Sequence, residues 1–122
     1  MSNDLPDSHE FVLNEVLRRG LDDWADAADV SDVLFNYAQV TDPAVGRRIV
    51  LRIVPTIIDR GLMNAGTITK DGFEAYTKEA ALELLDRRWP IDHFPELGEI
   101  PFWLDLTDRG KRWLQSRGLA WD

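Results

Sequence analysis

The stretch that decides the fold is TDPAVGRRIVLRIVPTIIDRGLMNAGTIT, residues 41–69. Asp42 offers a side-chain oxygen to the free amides of a helix start, and Pro43 suits the first helical position, where its missing N–H costs nothing. Behind them Val45, Ile49, Ile53 and Ile57 recur every fourth residue, and Val50, Val54 and Ile58 form a second row. That period predicts a helix ending at Gly61, bent near its last turn by Pro55. At about 100° per residue, the apolar positions cover roughly two-thirds of its circumference. Arg48, Arg52 and Asp59 share the narrow polar strip that remains, and Arg47 emerges near the start. A helix this apolar belongs at the centre of a domain. Leu62 to Thr69 then reads as a strand with a turn at Ala65-Gly66.

Upstream, Asp7 and Glu10 have capping-box spacing and open a helix whose apolar face is Val12, Leu13, Val16 and Leu17, stopped by Gly20. A turn containing Trp24 leads to a short helix from about Val30 to Ala38. Downstream, Asp71 and Glu74 repeat the capping-box spacing, predicting a helix to about Arg88 with Phe73, Tyr76, Ala80 and Leu84 inward. Trp89 to Pro101 is a proline-punctuated loop. Phe102, Leu104 and Leu106 alternate with Trp103 and Asp105 as in a strand, and Thr107 caps a last helix carrying Trp113 and Leu114 as far as Gly118. The prediction is a single domain over residues 1–122, mostly α within the α+β class.

Two segments resemble winged helix-turn-helix domains. IIDRGLMNAGTIT, residues 57–69, is similar to the end of their third helix running into the wing. FWLDLTDRGKRWL, residues 102–114, is similar to the returning strand and following helix, including the pattern Leu106-Thr107-x-x-Gly110. The likeness covers roughly residues 8–69 and 101–118. It implies a winged-helix-like domain with a small antiparallel hairpin, and it makes residues 71–100 or so an inserted helix and loop in place of a short wing turn.

Composition narrows the function. With 122 residues, 44% hydrophobic and 30% charged, the chain can bury one ordinary core. It has no cysteine, which excludes disulfides, thiolate metal ligands and cysteine nucleophiles. Met1 to Pro6 lacks a positive start and an apolar run, and the apolar-rich stretch Ile49 to Ile58 is interrupted by Arg52 and Pro55. The expectation is a cytoplasmic protein with no membrane partner. The net charge is −8, and its distribution is uneven: residues 1–43 hold ten acids against two arginines, whereas residues 44–70 hold five bases against Asp59. An acidic total disfavours nonspecific nucleic-acid binding.

Asp22, Asp23, Asp26, Asp29 and Asp32 form an acidic row without an intervening base. As a calcium loop it lacks glycine and a closing glutamate in register. It reads either as solvated turn and cap residues or as a face for a basic partner. Asp92, His93 and Glu96 share a loop, but one histidine there falls short of a zinc ligand set, and His9 is expected to face solvent. No serine pairs with either histidine as a nucleophile, and no glycine-rich phosphate loop occurs. No catalytic residue, metal or cofactor is therefore assigned. Five tryptophans are many for this length. Trp113 suits the core, while Trp89 and Trp103, beside acids, suit a protein interface, as Trp121 near the terminus does.

The expected function is a non-enzymatic protein-binding module contacting a basic partner through Asp22, Asp23, Asp26, Asp29, Asp32, Trp89 and Trp103. A small acidic bacterial antidote or immunity protein against a basic toxin has this profile. The alternative is a winged-helix transcriptional regulator, acting as a homodimer, with Arg47, Arg48 and Arg52 on DNA phosphates. Against it, a recognition helix needs a broad polar face, and Arg48 and Arg52 are expected to pair with the acidic segments.

Overall fold

The structure is a computed structural model and describes residues 5–120, so Trp121 lies outside the described residues. Its central helix, α3 (Pro43–Asp59), forms as its sequence dictates: Asp42 accepts a hydrogen bond from the Ala44 amide at 3.0 Å, and Pro43 stands in the first turn. It buries Gly46, Ile49, Val50, Ile53, Val54 and Ile57. Gly61 reverses the chain with φ +71°, a conformation that only glycine adopts cheaply.

Helix α1 (Asp7–Arg19) buries Val12, Leu13, Val16 and Leu17, the face read from its period. Its cap is Pro6 without a side-chain bond, so Asp7 and Glu10 form no capping box; both lie in the first turn, at the positive end of the helix dipole. The next elements are β1 (Ala25–Asp26), α2 (Ala27–Asp32) and a π turn, Val33–Tyr37, closed by the Ala38 amide on the Val33 carbonyl at 2.9 Å. The second helix thus begins earlier than predicted, because Asp26 caps it.

Strand β2 (Met63–Thr69) runs straight through Ala65-Gly66, and the turn falls at Lys70-Asp71 before β3 (Gly72–Ala75). The expected helix start at Asp71 is therefore corrected. Asp-Gly is a hairpin-turn pair as much as a cap: Gly72 takes φ +110°, and Thr69 Oγ1 both accepts from the Asp71 amide and donates to the Gly72 carbonyl. Helix α4 (Lys78–Arg88) is capped by Thr77 and buries Ala81 and Leu85, one residue on from the predicted pair Ala80 and Leu84. Strand β4 (Trp103–Leu106) and α5 (Asp108–Ser116), capped by Thr107, complete the chain as expected.

The class is α+β, with a four-stranded antiparallel sheet in the order β1-β4-β2-β3. Register places Ala25 opposite Leu104 and Leu104 opposite Ala65, and these three, nearly wholly buried, face the helices. Alternation then turns the neighbouring residues to the opposite side of the sheet. Phe102 and Leu104 meet side chains of α1 and α3 in one continuous core. Among the described residues, no helix is long and apolar enough to cross a membrane.

Candidate functional site

The acidic row divides in two. Asp26 is only 4% exposed: its Oδ1 accepts the Asp29 amide at 2.9 Å, and Asp29 Oδ2 accepts the Asp26 amide at 3.0 Å. Burial pushes the Asp26 carboxyl up. Arg19, from the last turn of α1, donates to Asp29 Oδ1 at 3.3 Å and to Asp32, and its guanidinium lies 5.3 Å from the Tyr37 ring centre. Bonds from Arg19 and then Asn36 hold the Asp32 carboxyl below its ordinary range. Asp26, Asp29 and Asp32 therefore shape α2, and the last two clip it to α1. Burial takes Asp26 off the surface, while the Asp29 and Asp32 side chains stay 40% exposed with their charge met by Arg19. The compensating base was invisible in sequence because it comes from another helix.

One consequence is measurable. Arg19→Met is expected to cost about 1 kcal/mol at pH 7, since a solvent-screened pair contributes little more. Because the folded Asp32 value is lowered, the wild-type advantage is present above its ordinary value of 3.8 and vanishes as pH falls through the folded value. Urea denaturation of both proteins at pH 7 and pH 3 checks this.

Trp89 is 3% exposed and cannot offer its ring to a partner. Arg47 is committed as well: its Nε donates to the Trp89 carbonyl at 3.1 Å, and its terminal nitrogen donates to the Asp86 carbonyl at 2.6 Å and reaches Asp86 Oδ1 at 3.3 Å. It ties α3 to the end of α4 and is not free for phosphate. Arg48 and Arg52 are exposed and, contrary to expectation, form no ion pair among the described residues. With Leu51 they line a shallow recess closed by His9. His9 is half-buried rather than solvent-facing, and burial, followed by the Arg52 charge, lowers its pKa.

The loop after α4 is pinned by His93, whose Nδ1 lies 2.7 Å from Asp92 Oδ1 and whose Nε2 lies 2.6 Å from Glu99 Oε2. Glu96 contributes its amide to Glu99 Oε1 instead of joining the histidine. Only the imidazolium donates from both nitrogens, and the bonds to Asp92 and then Glu99 raise the His93 pKa above 6.5. The pin is therefore complete below pH 6.5 and is lost as pH rises through the folded value. Amide exchange across residues 90–100 is expected to quicken over that rise beyond its intrinsic pH dependence, and His93→Gln is expected to abolish the extra change. Among the described residues, no group of three or more ligand side chains is arranged to hold a metal ion.

The outward side of the sheet gathers what remains. Trp103 lies opposite Gly66 on one side and Asp26 on the other, Gly66 lies opposite Ala75, and Ile68 lies opposite Phe73. Alternation puts Trp103, Asp105, Gly66, Ile68, Phe73 and Ala75 on the side away from Leu104. The ring of Trp24, just before β1, comes within 5.9 Å of the Phe73 ring. Gly66 permits this, because a Cβ there would stand 2.7 Å from Phe73 Cζ and 2.3 Å from the Glu74 carbonyl oxygen. Trp24 is 36% exposed, while Ile68, Phe73 and Trp103 are half-buried. Asp22, Asp23 and Glu74 are exposed, Asp105 is half-buried, and none of the four forms a salt bridge among the described residues. Of these, Asp105 shares the outward side and Asp23 adjoins Trp24, while Glu74, opposite Thr67, projects from β3 to the other side. The result is an apolar patch with acids at its border.

Of the residues read from sequence, Trp103 belongs to this side of the sheet and Asp23 adjoins Trp24, whose amide it accepts. Asp22 instead lines recesses with Arg18, Arg19 and Lys111. Trp24, Ile68 and Phe73 were missed. Their signal was the Lys70-Asp71-Gly72 turn, which turns 63–75 into a hairpin with period-two alternation. The chain matches no family model, no curated protein and no solved structure.

Proposed function

We propose that the chain is a non-enzymatic, winged-helix-like, cytosolic module that binds a basic protein through the outward side of its sheet, as an antidote or immunity protein binds a basic toxin. The observation that carries this reading is the gathering of Trp24, Ile68, Phe73 and Trp103 on one side of the sheet, with Asp23 next to Trp24, Asp105 next along from Trp103, and Glu74 on the adjoining edge strand. Large aromatics supply contact area at low entropic cost, and acids at the border steer a basic partner and select against acidic ones. The winged-helix part draws support from the adjacency of β1, β4 and β2, with β3, α4 and the 89–101 loop intervening in the chain between β2 and β4.

The test is capture from nuclease-treated native lysate on immobilised protein. A retained basic partner is expected to be lost by Trp24→Ala with Trp103→Ala, each truncation weakening binding about 30-fold, as a hot-spot residue of about 2 kcal/mol would. Asp22→Asn with Asp23→Asn is expected to slow association several-fold at low salt. Equal retention by all variants counts against the reading.

Arg48 and Arg52, exposed and without ion pairs among the described residues, favour a second reading as a DNA-binding regulator. Submicromolar, sequence-selective duplex binding that is abolished by Arg48→Ala with Arg52→Ala would select it.

A further inference from the structure

We infer that the basic partner engages this surface by adding an extended strand to the free edge of the sheet at β3, an inference resting on the protein-binding reading above. Strand β3 is last in the sheet order, so one of its edges has no neighbour. The Tyr76 amide donates to the Ala65 carbonyl at 2.8 Å, which fixes the phase of the β2–β3 ladder. Hydrogen bonds in an antiparallel pair alternate. Thr67 and Glu74, then Thr69 and Gly72, are the pairs that exchange them, so the N–H and C=O groups of Phe73 and Ala75 point away from β2. Glu74 and Ala75 are exposed.

Phe73 and Ala75 carry side chains on the outward side of the sheet. A strand laid against them would set alternate side chains beside Phe73 and Ala75, and the others toward the opposite side, where Glu74 projects. The matching sequence alternates apolar and basic residues. Edges are commonly protected by proline, lysine or a bulge. The segment Gly72-Phe73-Glu74-Ala75 has no proline, lysine or bulge. Its one charge, Glu74, which guards the edge against acidic strands and suits a basic one, forms no salt bridge among the described residues. A second copy of this chain is the poorer occupant, because symmetric pairing would bring two Glu74 carboxylates together in a protein of net charge −8.

The probe is a short peptide of alternating valine and lysine, added to the isotopically labelled full chain and followed by amide exchange and chemical shifts. Slowed exchange is expected at the Phe73 and Ala75 amides, with Gly72 and Glu74, already bonded to β2, unchanged. Ala75→Pro removes only an outward N–H from an edge strand, a position that tolerates proline, and is expected to weaken the peptide about tenfold, the equivalent of about one hydrogen bond. Glu74→Lys is expected to weaken it similarly and serves if the proline variant does not fold. Absence of binding, or protection elsewhere, overturns strand addition. Protection of Phe73 and Ala75 without peptide, growing with protein concentration, assigns the edge to a second copy and also overturns it. If Ala75→Pro and Glu74→Lys leave lysate capture intact while Trp24→Ala abolishes it, strand addition fails and the protein-binding reading stands; if none of the three affects capture, both fail.

Discussion

Gly110→Ala is expected to destabilise the protein by about 3 kcal/mol, near the upper end for overpacking. A Cβ at this position would lie 2.2 Å from the Leu62 carbonyl oxygen and 2.6 Å from Leu106 Cδ1. Neither neighbour yields easily. The Leu62 carbonyl accepts both the Thr107 amide at 3.1 Å and Thr107 Oγ1 at 3.0 Å, and the same Oγ1 accepts the Gly110 amide at 3.0 Å. The Leu106-Thr107-x-x-Gly110 pattern is thus one physical unit: the threonine caps α5 and fastens it to the end of α3, and the glycine lets the helix approach that backbone. Thermal unfolding should show a midpoint lower by roughly 10 °C. An unchanged midpoint would mean that α5 is not seated on Leu62.

Phe102→Ala is expected to cost about 4 kcal/mol, the transfer free energy of the ring plus the cavity it leaves. Phe102 is among the largest side chains with no solvent exposure and enters the core immediately before β4. Its neighbour Trp103 is the larger residue but lies half-buried on the other side of the sheet. Trp103→Ala should therefore cost markedly less, although more atoms are removed. Urea denaturation of the two variants distinguishes the inward from the outward side of the sheet. A reversed order of costs would mean that β4 is turned over, and the patch built on Trp103 would disappear with it.

The parts of the fold legible in the sequence were those decided locally. Asp42-Pro43 and Thr107 start helices by satisfying nearby amides, and the fourfold recurrence through Ile49, Ile53 and Ile57 has one helical interpretation. Asp71-Gly72 was ambiguous for an equally local reason, since aspartate before glycine serves a hairpin as well as a cap, and the β2 partner decided between them. Misreading that turn hid Phe73 and with it half of the patch. The acidic row failed differently. Whether Asp29 and Asp32 face a partner depends on Arg19, and whether Arg47 is free depends on the Trp89 and Asp86 carbonyls some forty residues away. Such pairings are made by packing, and no spacing rule announces them. The exposure of Asp22 and Asp23 and the outward placement of Trp103 were legible because they follow from a turn and from strand alternation.

The most direct measurement is an amide-exchange footprint of the full chain with the basic partner retained by lysate capture. Slowed exchange is expected around Trp24, along residues 66–75 and at Trp103 to Asp105, with Arg48 to Arg52 unchanged. A footprint confined to Arg48 and Arg52 and the adjoining His9 recess, with the sheet unchanged, would contradict binding through the outward side of the sheet.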